Sequence, residues 1–166
     1  MEKNFLSLIK TRRSVRAYKS EAVPSKALDA VLEAGTCAPT GGGYQSPTII
    51  AITDPKYRRE IAKLNAEVMG SNTDPYYGAP VVILVLVDGS ATTYVENGSC
   101  ALENMMLAAH ALGLGTIWIH REREIFDSES GKDLLWEWKL PEILRGIGAI
   151  ALSDPAQEAS KPAARK

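Results

Sequence analysis

Apolar positions recur along the chain with two periods, which predict helices alternating with short strands. The strongest helical pattern lies in residues 98–120, where one stripe contains Gly98, Ala101, Leu102, Met105, Ala108, Ala109 and Leu112. Met106 and Leu107 widen that stripe, so we expect either a core or a second subunit to cover the helix. The helix is predicted to stop at residues 113–115, because glycine adopts the left-handed backbone that ends helices. A buried strand is predicted directly afterwards, over residues 116–119.

The remaining pattern predicts a helix-rich chain with four strands. Helices are expected over residues 4–10, 25–37 and 55–69 and in a segment that Pro141 ends. The other strands are expected over residues 48–53, 80–87 and 146–152, and the unbroken apolar run of the second implies burial on both faces. A charged segment over residues 121–124 reads as a solvated helix turn. From these elements alone we expect helices around a mixed sheet, in one domain over residues 1–166 with a surface tail over 153–166.

Composition gives no support to several classes of function. The 166 residues carry a formal net charge of −1, which gives no electrostatic reason to expect nucleic acid or an anionic membrane as partner. Cys37 and Cys100 lack metal-ligand spacing and read as small buried hydrophobes. The sequence shows no signal peptide and no apolar run long enough to span a bilayer, so we expect a cytoplasmic protein.

The first candidate for chemistry is a cluster of arginines near the N-terminus. Arg12, Arg13 and Arg16, with Ser14 among them, place three guanidiniums and a hydroxyl within five residues. Guanidiniums pair with phosphate oxygens in a bidentate manner, and a single cluster favours one small anion over a polyanion. A solvated basic patch is an equally good interpretation of the spacing alone.

Two glycine-rich segments lack the context of known nucleotide loops. Residues 39–45 contain three consecutive glycines that expose backbone N–H groups, but no Lys-Ser or Lys-Thr pair follows them. Residues 113–115 follow a predicted helix rather than a strand, so they are not a dinucleotide fingerprint. Catalytic side chains are scarce, since His110 reads as a surface or interface residue and no metal-ligand motif is visible. An enzyme with this sequence needs a bound cofactor to supply its chemistry.

The chain resembles the FMN-dependent nitroreductase family, in particular its short members. TRRSVRAY in residues 11–18 is similar to the family's arginine signature, and residues 38–41, followed by Gln45, are similar to its Ala-Pro-Ser loop. LAAHALGLGTIW in residues 107–118 is close to its helix-and-loop signature, and residues 161–166 resemble a late basic phosphate contact. The resemblance implies an α+β fold, with an antiparallel-dominated sheet of about four strands flanked by helices, in an intertwined homodimer.

The resemblance also implies site residues and a reaction. Arg12, Arg13 and Ser14 would hold the FMN phosphate and ribityl chain, with Arg165 or Lys166 beside them, and Arg16 would lie near the pyrimidine edge. Pro39, Thr40 and Gly41, in the same loop as Gly43 and Gln45, would reach the flavin from the partner subunit, and Trp118, Ile119 and His120 would line the isoalloxazine. The implied activity is ping-pong hydride transfer from NAD(P)H through FMN to a small acceptor such as a nitroaromatic or a quinone.

Departures from the family pattern keep two alternatives open. Gly43 stands where relatives often have Asn, Ser46-Pro47 stands where Pro-Trp is common, and His120 replaces a frequent Gly or Glu. A flavin-binding protein without turnover, for storage or sensing, is compatible with that loop. A flavin-free module that binds another phosphate compound is compatible with the arginines.

Overall fold

A computed structural model describes residues 5–159. The described residues form six α-helices, four β-strands and a short 3-10 helix at Gly41–Gly43. In chain order the helices and strands are α1 Phe5–Thr11, α2 Ser25–Thr36, β1 Pro47–Ile52, α3 Pro55–Met69, β2 Val81–Asp88, α4 Tyr94–Ala111, β3 Gly115–Ile119, α5 Glu122–Asp127, α6 Glu129–Glu137 and β4 Leu144–Ser153. The pattern therefore located every strand, but it did not divide the region before Pro141 into α5 and α6.

The four strands form one sheet in the order β1-β2-β4-β3, and all three neighbouring pairs are antiparallel. The mixed sheet expected from the alternation of elements is wrong, whereas the antiparallel sheet implied by the resemblance is confirmed. The pairing of β2 with β4 is irregular between Val85 and Leu86, where Ile147 is the additional residue on β4. That bulge bends the strand below the N-terminal half of α4.

Helices cover both faces of the sheet. Val82, Leu84 and Leu86 point into one core, which α3, α5 and α6 complete, and the alternate residues of β2 point into a second core beneath α2 and α4. Every residue from Val81 to Val87 is buried, as the unbroken apolar run predicted. Burial of each such side chain contributes about 1.5–3 kcal/mol, so β2 is the strand that holds the two layers together.

Helix α4 is a core helix of this chain. It begins at Tyr94, four residues before the predicted start, and ends where Gly113 adopts a φ of 82°. Most of its apolar stripe is buried against α2 and the sheet, so of the two expected coverings, a core or a second subunit, the core is confirmed for that part. Leu112 is the exception, since half of its surface is exposed.

Two further expectations from the sequence need correction. Ser153, predicted as the first residue of a surface tail, is fully buried as the last residue of β4. Cys37 is exposed because it lies just beyond the last residue of α2, and Cys100, inside α4, is only partly buried. Within residues 5–159, no helix combines the length and apolar character needed to cross a membrane.

Candidate functional site

A cavity of about 200 Å³ lies where α1, the end of α4 and the start of β3 meet. Its floor is the backbone of Gly113 to Thr116, and the predicted phosphate-binding residues Arg12 and Arg13 form one wall. Its other lining residues are Thr11, Val15, His110, Pro155, Gln157, Glu158 and Ala159. Two guanidiniums and one carboxylate, that of Glu158, therefore line this space, and the excess of positive charge favours a small anionic group.

The arginines are held by the end of α1. Nη1 of Arg13 donates to the carbonyl oxygens of Lys10 and Arg12, at 2.9 and 2.6 Å. Nε of Arg12 lies 4.0 Å from a carboxylate oxygen of Glu103 on α4, which is a weak ion pair at that distance. Among residues 5–159, no carboxylate forms a salt bridge with Arg13, so its Nε and Nη2 are available to an incoming anion.

Residues 14–19 are attached to the sheet by their backbone. Ser14 bridges to Thr116 at the start of β3, and the Val15 amide donates to the Thr116 carbonyl at 2.9 Å. The Tyr18 hydroxyl donates to the Val15 carbonyl at 2.8 Å, and burial raises the pKa of this phenol. Ser14 and Arg16 are exposed on this fixed segment, and the predicted partners Arg165 and Lys166 lie outside the described residues.

The predicted glycine loop lies at the other end of α4. The amide of Gly41 donates to Oδ1 of the buried Asn97 at 2.9 Å, and Nδ2 of Asn97 donates to the Ser46 hydroxyl at 3.0 Å. The Gln45 amide donates to the Thr40 hydroxyl at 2.9 Å, while Pro39, Gly43 and Gln45 are exposed. A rise of about 1.5 Å per residue along α4 separates Asn97 from His110, beside the arginines, by roughly 20 Å. Within one chain, the glycine loop and the arginines therefore lie apart.

The end of β3 directs its three predicted site residues differently. Trp118 points to the α4 side and lies against Gly148, where a Cβ would approach the indole nitrogen to 2.5 Å. Ile119 points into the opposite core and is buried, whereas His120 is exposed. Ile119 can therefore face a ligand at this edge only through its backbone.

Sequence reasoning missed a buried polar cluster directly behind His120, which we call the Asn65 cluster: Asn65, Tyr76, Arg121 and Glu122. Oε1 of Glu122 accepts hydrogen bonds from the Tyr76 hydroxyl at 2.9 Å and from Nδ2 of Asn65 at 3.1 Å. The same Nδ2 donates to the His120 carbonyl at 2.9 Å, and Nε of Arg121 donates to Oδ1 of Asn65 at 2.8 Å. The cluster ties α3, the turn before β2 and the turn after β3 to one another.

Glu122 corrects the prediction that residues 121–124 form a solvated turn. Its exposure is 0%, and Oε2 has no hydrogen-bond partner among the described residues. Burial raises its pKa to about 8, against the opposing effect of the bond from Tyr76, so the carboxyl is mostly neutral at pH 7. One signal was available, because Glu122 precedes Ile125 and Phe126 at helical spacing and shares their buried face.

The antiparallel sheet, its two helix layers and the basic cavity describe an α+β protein with room for a small anionic group. A protein-family model, described as the nitroreductase family, matches residues 9–123, which is more than half of the chain. The chain belongs to the nitroreductase family.

The relatives agree with that assignment. The chain is 33% identical over 121 residues to a Methanothermobacter thermautotrophicus protein named as an NADH dehydrogenase/NAD(P)H nitroreductase, covering 68% of this chain but only 59% of that protein. An Archaeoglobus fulgidus protein of the same name is 30% identical over 159 residues, 92% of this chain and 86% of its own length. A Bacteroides fragilis nitroreductase solved with bound FMN has 29% identity and a TM-score of 0.90, over 99% of this chain and 95% of that one.

Proposed function

We propose that the chain is an FMN-dependent oxidoreductase that uses NAD(P)H to reduce a small electron acceptor such as a nitroaromatic or a quinone. Family membership supports the class of reaction, and the structures solved with FMN support the cofactor. The observation that carries the proposal is the cavity beside Arg12 and Arg13, because Arg13 forms no salt bridge within residues 5–159 and the cavity floor includes Gly113 and Gly115. We place the reaction in the cytoplasm, where pyridine nucleotides are available.

The residues at the cavity fit the phosphate end of FMN. Arg13 offers Nε and Nη2, and a Cβ built at Gly113 would meet no atom within 4 Å, so the floor is open. Strand β3 leads from this cavity to His120, and we propose that the ribityl chain and ring follow the strand, with Arg16 at the pyrimidine edge. When bound, FMN supplies the redox chemistry, accepting hydride from NAD(P)H and passing electrons to the acceptor.

The protein's own contribution is binding, orientation and polarisation. The arginines neutralise the phosphate, and a cation at the pyrimidine edge stabilises negative charge on a reduced flavin. Trp118, through its indole, and Ile119 and His120, through their backbone, define the edge along which the ring lies. No side-chain acid or base is required, because water can supply the protons.

We propose that the functional form is a homodimer. The roughly 20 Å between the glycine loop and the arginines means that both would contact one flavin only if the loop came from a second copy. Helix α1 supports this arrangement, because Phe5 and Leu6 are each about 60% exposed and the helix contains no buried residue. Leu112, at the end of α4, extends the uncovered apolar surface.

The binding site is tested by removing both guanidiniums together, in Arg12→Ala with Arg13→Ala. Charge-assisted hydrogen bonds contribute about 1.5–3 kcal/mol each, so we expect FMN to bind at least about 100-fold more weakly with an unchanged circular dichroism spectrum. The matched control is Lys26→Ala with Arg59→Ala, which removes the same charge from exposed positions on α2 and α3 and should leave affinity unchanged. Equal affinity in both double variants would refute the phosphate assignment.

The activity is tested by anaerobic addition of NADH and NADPH to the FMN-loaded protein. Loss of flavin absorbance at about 450 nm demonstrates reduction, and recovery of that absorbance on addition of a nitroaromatic or a quinone demonstrates turnover. Bound flavin that neither nucleotide bleaches would instead indicate flavin binding without turnover. Absence of bound FMN would indicate a site for another phosphate compound.

A further inference from the structure

The turn that follows β3 has a conformation that its own sequence does not favour. Arg121 has a φ of 84° and a ψ of 2°, which is the left-handed region that side chains other than glycine seldom adopt. Such a residue keeps this conformation only where surrounding contacts determine it. The contacts that do so here come from the Asn65 cluster.

The side-chain nitrogen and oxygen of Asn65 both form hydrogen bonds to the turn. Nδ2 donates to the His120 carbonyl at 2.9 Å, and Oδ1 accepts from Nε of Arg121 at 2.8 Å. Two successive residues are therefore fixed by one side chain that reaches them from α3. Because Asn65 is fully buried, water does not compete for these bonds.

Glu122 fixes the orientation of the Asn65 amide in turn. Its Oε1 accepts from the same Nδ2 at 3.1 Å, and the neighbouring Tyr76 hydroxyl donates to that oxygen at 2.9 Å. The backbone of Glu122 is equally constrained, since a Cβ at Gly146 on β4 would approach its carbonyl oxygen to 2.2 Å. Neither the helix nor the carboxyl can move without disturbing the turn.

We propose that Asn65 and Glu122 are positioning residues of the flavin site, which hold the His120–Arg121 turn in the shape that FMN binds only while the Glu122 carboxyl is neutral. The proposal rests on the proposed function, because it assigns this turn to the edge of the isoalloxazine. It adds residues that touch no substrate and act through the backbone of the turn.

The charges around Glu122 explain why ionisation would release the turn. Within residues 5–159 the Tyr76 phenol donates to Glu122 and the guanidinium of Arg121 is the nearby cation, while the guanidinium of Arg58 lies 5.2 Å from the centre of the Tyr76 ring and pairs with Asp74. When Glu122 loses its proton to solvent, Oε2 becomes a buried anion without a partner. Arg121 is the cation that can reach it, and by doing so would leave Oδ1 of Asn65.

The decisive measurement is the pH dependence of FMN dissociation between pH 7 and pH 9, above the second ionisation of the phosphate. With the pKa of Glu122 raised to about 8, the competent fraction falls about tenfold by pH 9, so wild-type affinity should weaken about tenfold. Glu122→Gln keeps an acceptor for Tyr76 and removes the titration, so it should bind with the same affinity at both pH values. The matched control Glu124→Gln removes a charge from the exposed side of the same helix and should follow the wild type.

Parallel curves for wild type and Glu122→Gln would overturn the proposal. So would an unchanged affinity at pH 7 in Asn65→Leu, for which we expect weakening of about tenfold and no remaining pH dependence. Backbone ¹⁵N resonances of His120 and Arg121 in the FMN-free protein provide a second readout, which should titrate near pH 8 in the wild type alone. If wild type binds no FMN at any pH while these resonances titrate, the proposed function has failed and the link to flavin fails with it.

Discussion

Burial of Glu122 makes the stability of the protein depend on pH in the direction opposite to that of a surface carboxylate. The informative change is Glu122→Gln, which preserves the volume of the side chain and the acceptor for the Tyr76 hydroxyl and the Asn65 amide. It removes only the ability to ionise. Any difference in pH dependence between the two proteins therefore belongs to this carboxyl.

The magnitude follows from linkage between protonation and folding. The carboxyl titrates near its ordinary value of 4.5 in the unfolded chain, whereas burial raises its pKa to about 8 in the folded protein. The stability associated with the neutral carboxyl is fully present below pH 4.5 and is lost as the pH rises to about 8, by close to a factor of ten in the folding equilibrium per pH unit. At pH 7 the loss is roughly 3 kcal/mol, a large share of a typical domain's stability.

The assay is urea unfolding of the FMN-free protein at a series of pH values from 5 to 9, followed by circular dichroism. The free energy of unfolding of the wild type should fall relative to that of Glu122→Gln up to about pH 8 and run parallel to it above that pH. Glu124→Gln, on the exposed side of α5, should behave as the wild type does. A constant difference between wild type and Glu122→Gln from pH 5 to 8 would refute the reasoning, since it would show that the buried carboxyl is already ionised at pH 5.

Three further outcomes are expected. Tyr76→Phe removes the hydrogen bond that lowers the pKa of Glu122. The free energy of unfolding, measured in the same urea series, should therefore continue to fall to a pH above 8. If the fall ends at the same pH as in the wild type, the role of the hydroxyl is contradicted. Gly113→Ala should lower the free energy of unfolding by about 1 kcal/mol, because the φ of 82° disfavours a Cβ although space is free there; equal urea midpoints would count against it. Ala108→Glu, near the exposed Leu112, should yield a monomer in sedimentation velocity that no longer retains FMN; a dimer with flavin would show that α4 is not at the interface.

Local pattern was sufficient for the elements, because each depends on neighbours in sequence. The run from Val81 to Val87 identified a strand with two covered faces, and Gly113 marked the end of α4 within two residues. The local pattern could not predict the strand order, because the antiparallel pairing of β4 between β2 and β3 depends on contacts between residues far apart in the chain. The family resemblance supplied the antiparallel character of the sheet but not the order of its strands.

The candidate site was predictable in its parts but not in its arrangement. The arginines and the glycine loop could be found by residue type, while their separation became visible only once α4 joined them. Glu122 was misread because a charged residue is normally exposed, and the partners that make its burial tolerable, Asn65 and Tyr76, lie 57 and 46 residues away along the chain. The residues next to Glu122 in the sequence do not indicate that Asn65 and Tyr76 are its partners.

The attachment of residues 17–19 to the end of β4 determines when the site can assemble during synthesis. Amide–carbonyl bonds of 2.9 Å join Lys19 to Asp154 and Ala156 to Ala17, so the segment that follows the arginines is anchored by residues that directly follow β4. Contacts of such long sequence separation form late, because the intervening loop must close first. The nascent chain therefore cannot hold its arginines in place until β4 has emerged from the ribosome, so cofactor binding has to wait for synthesis of that strand.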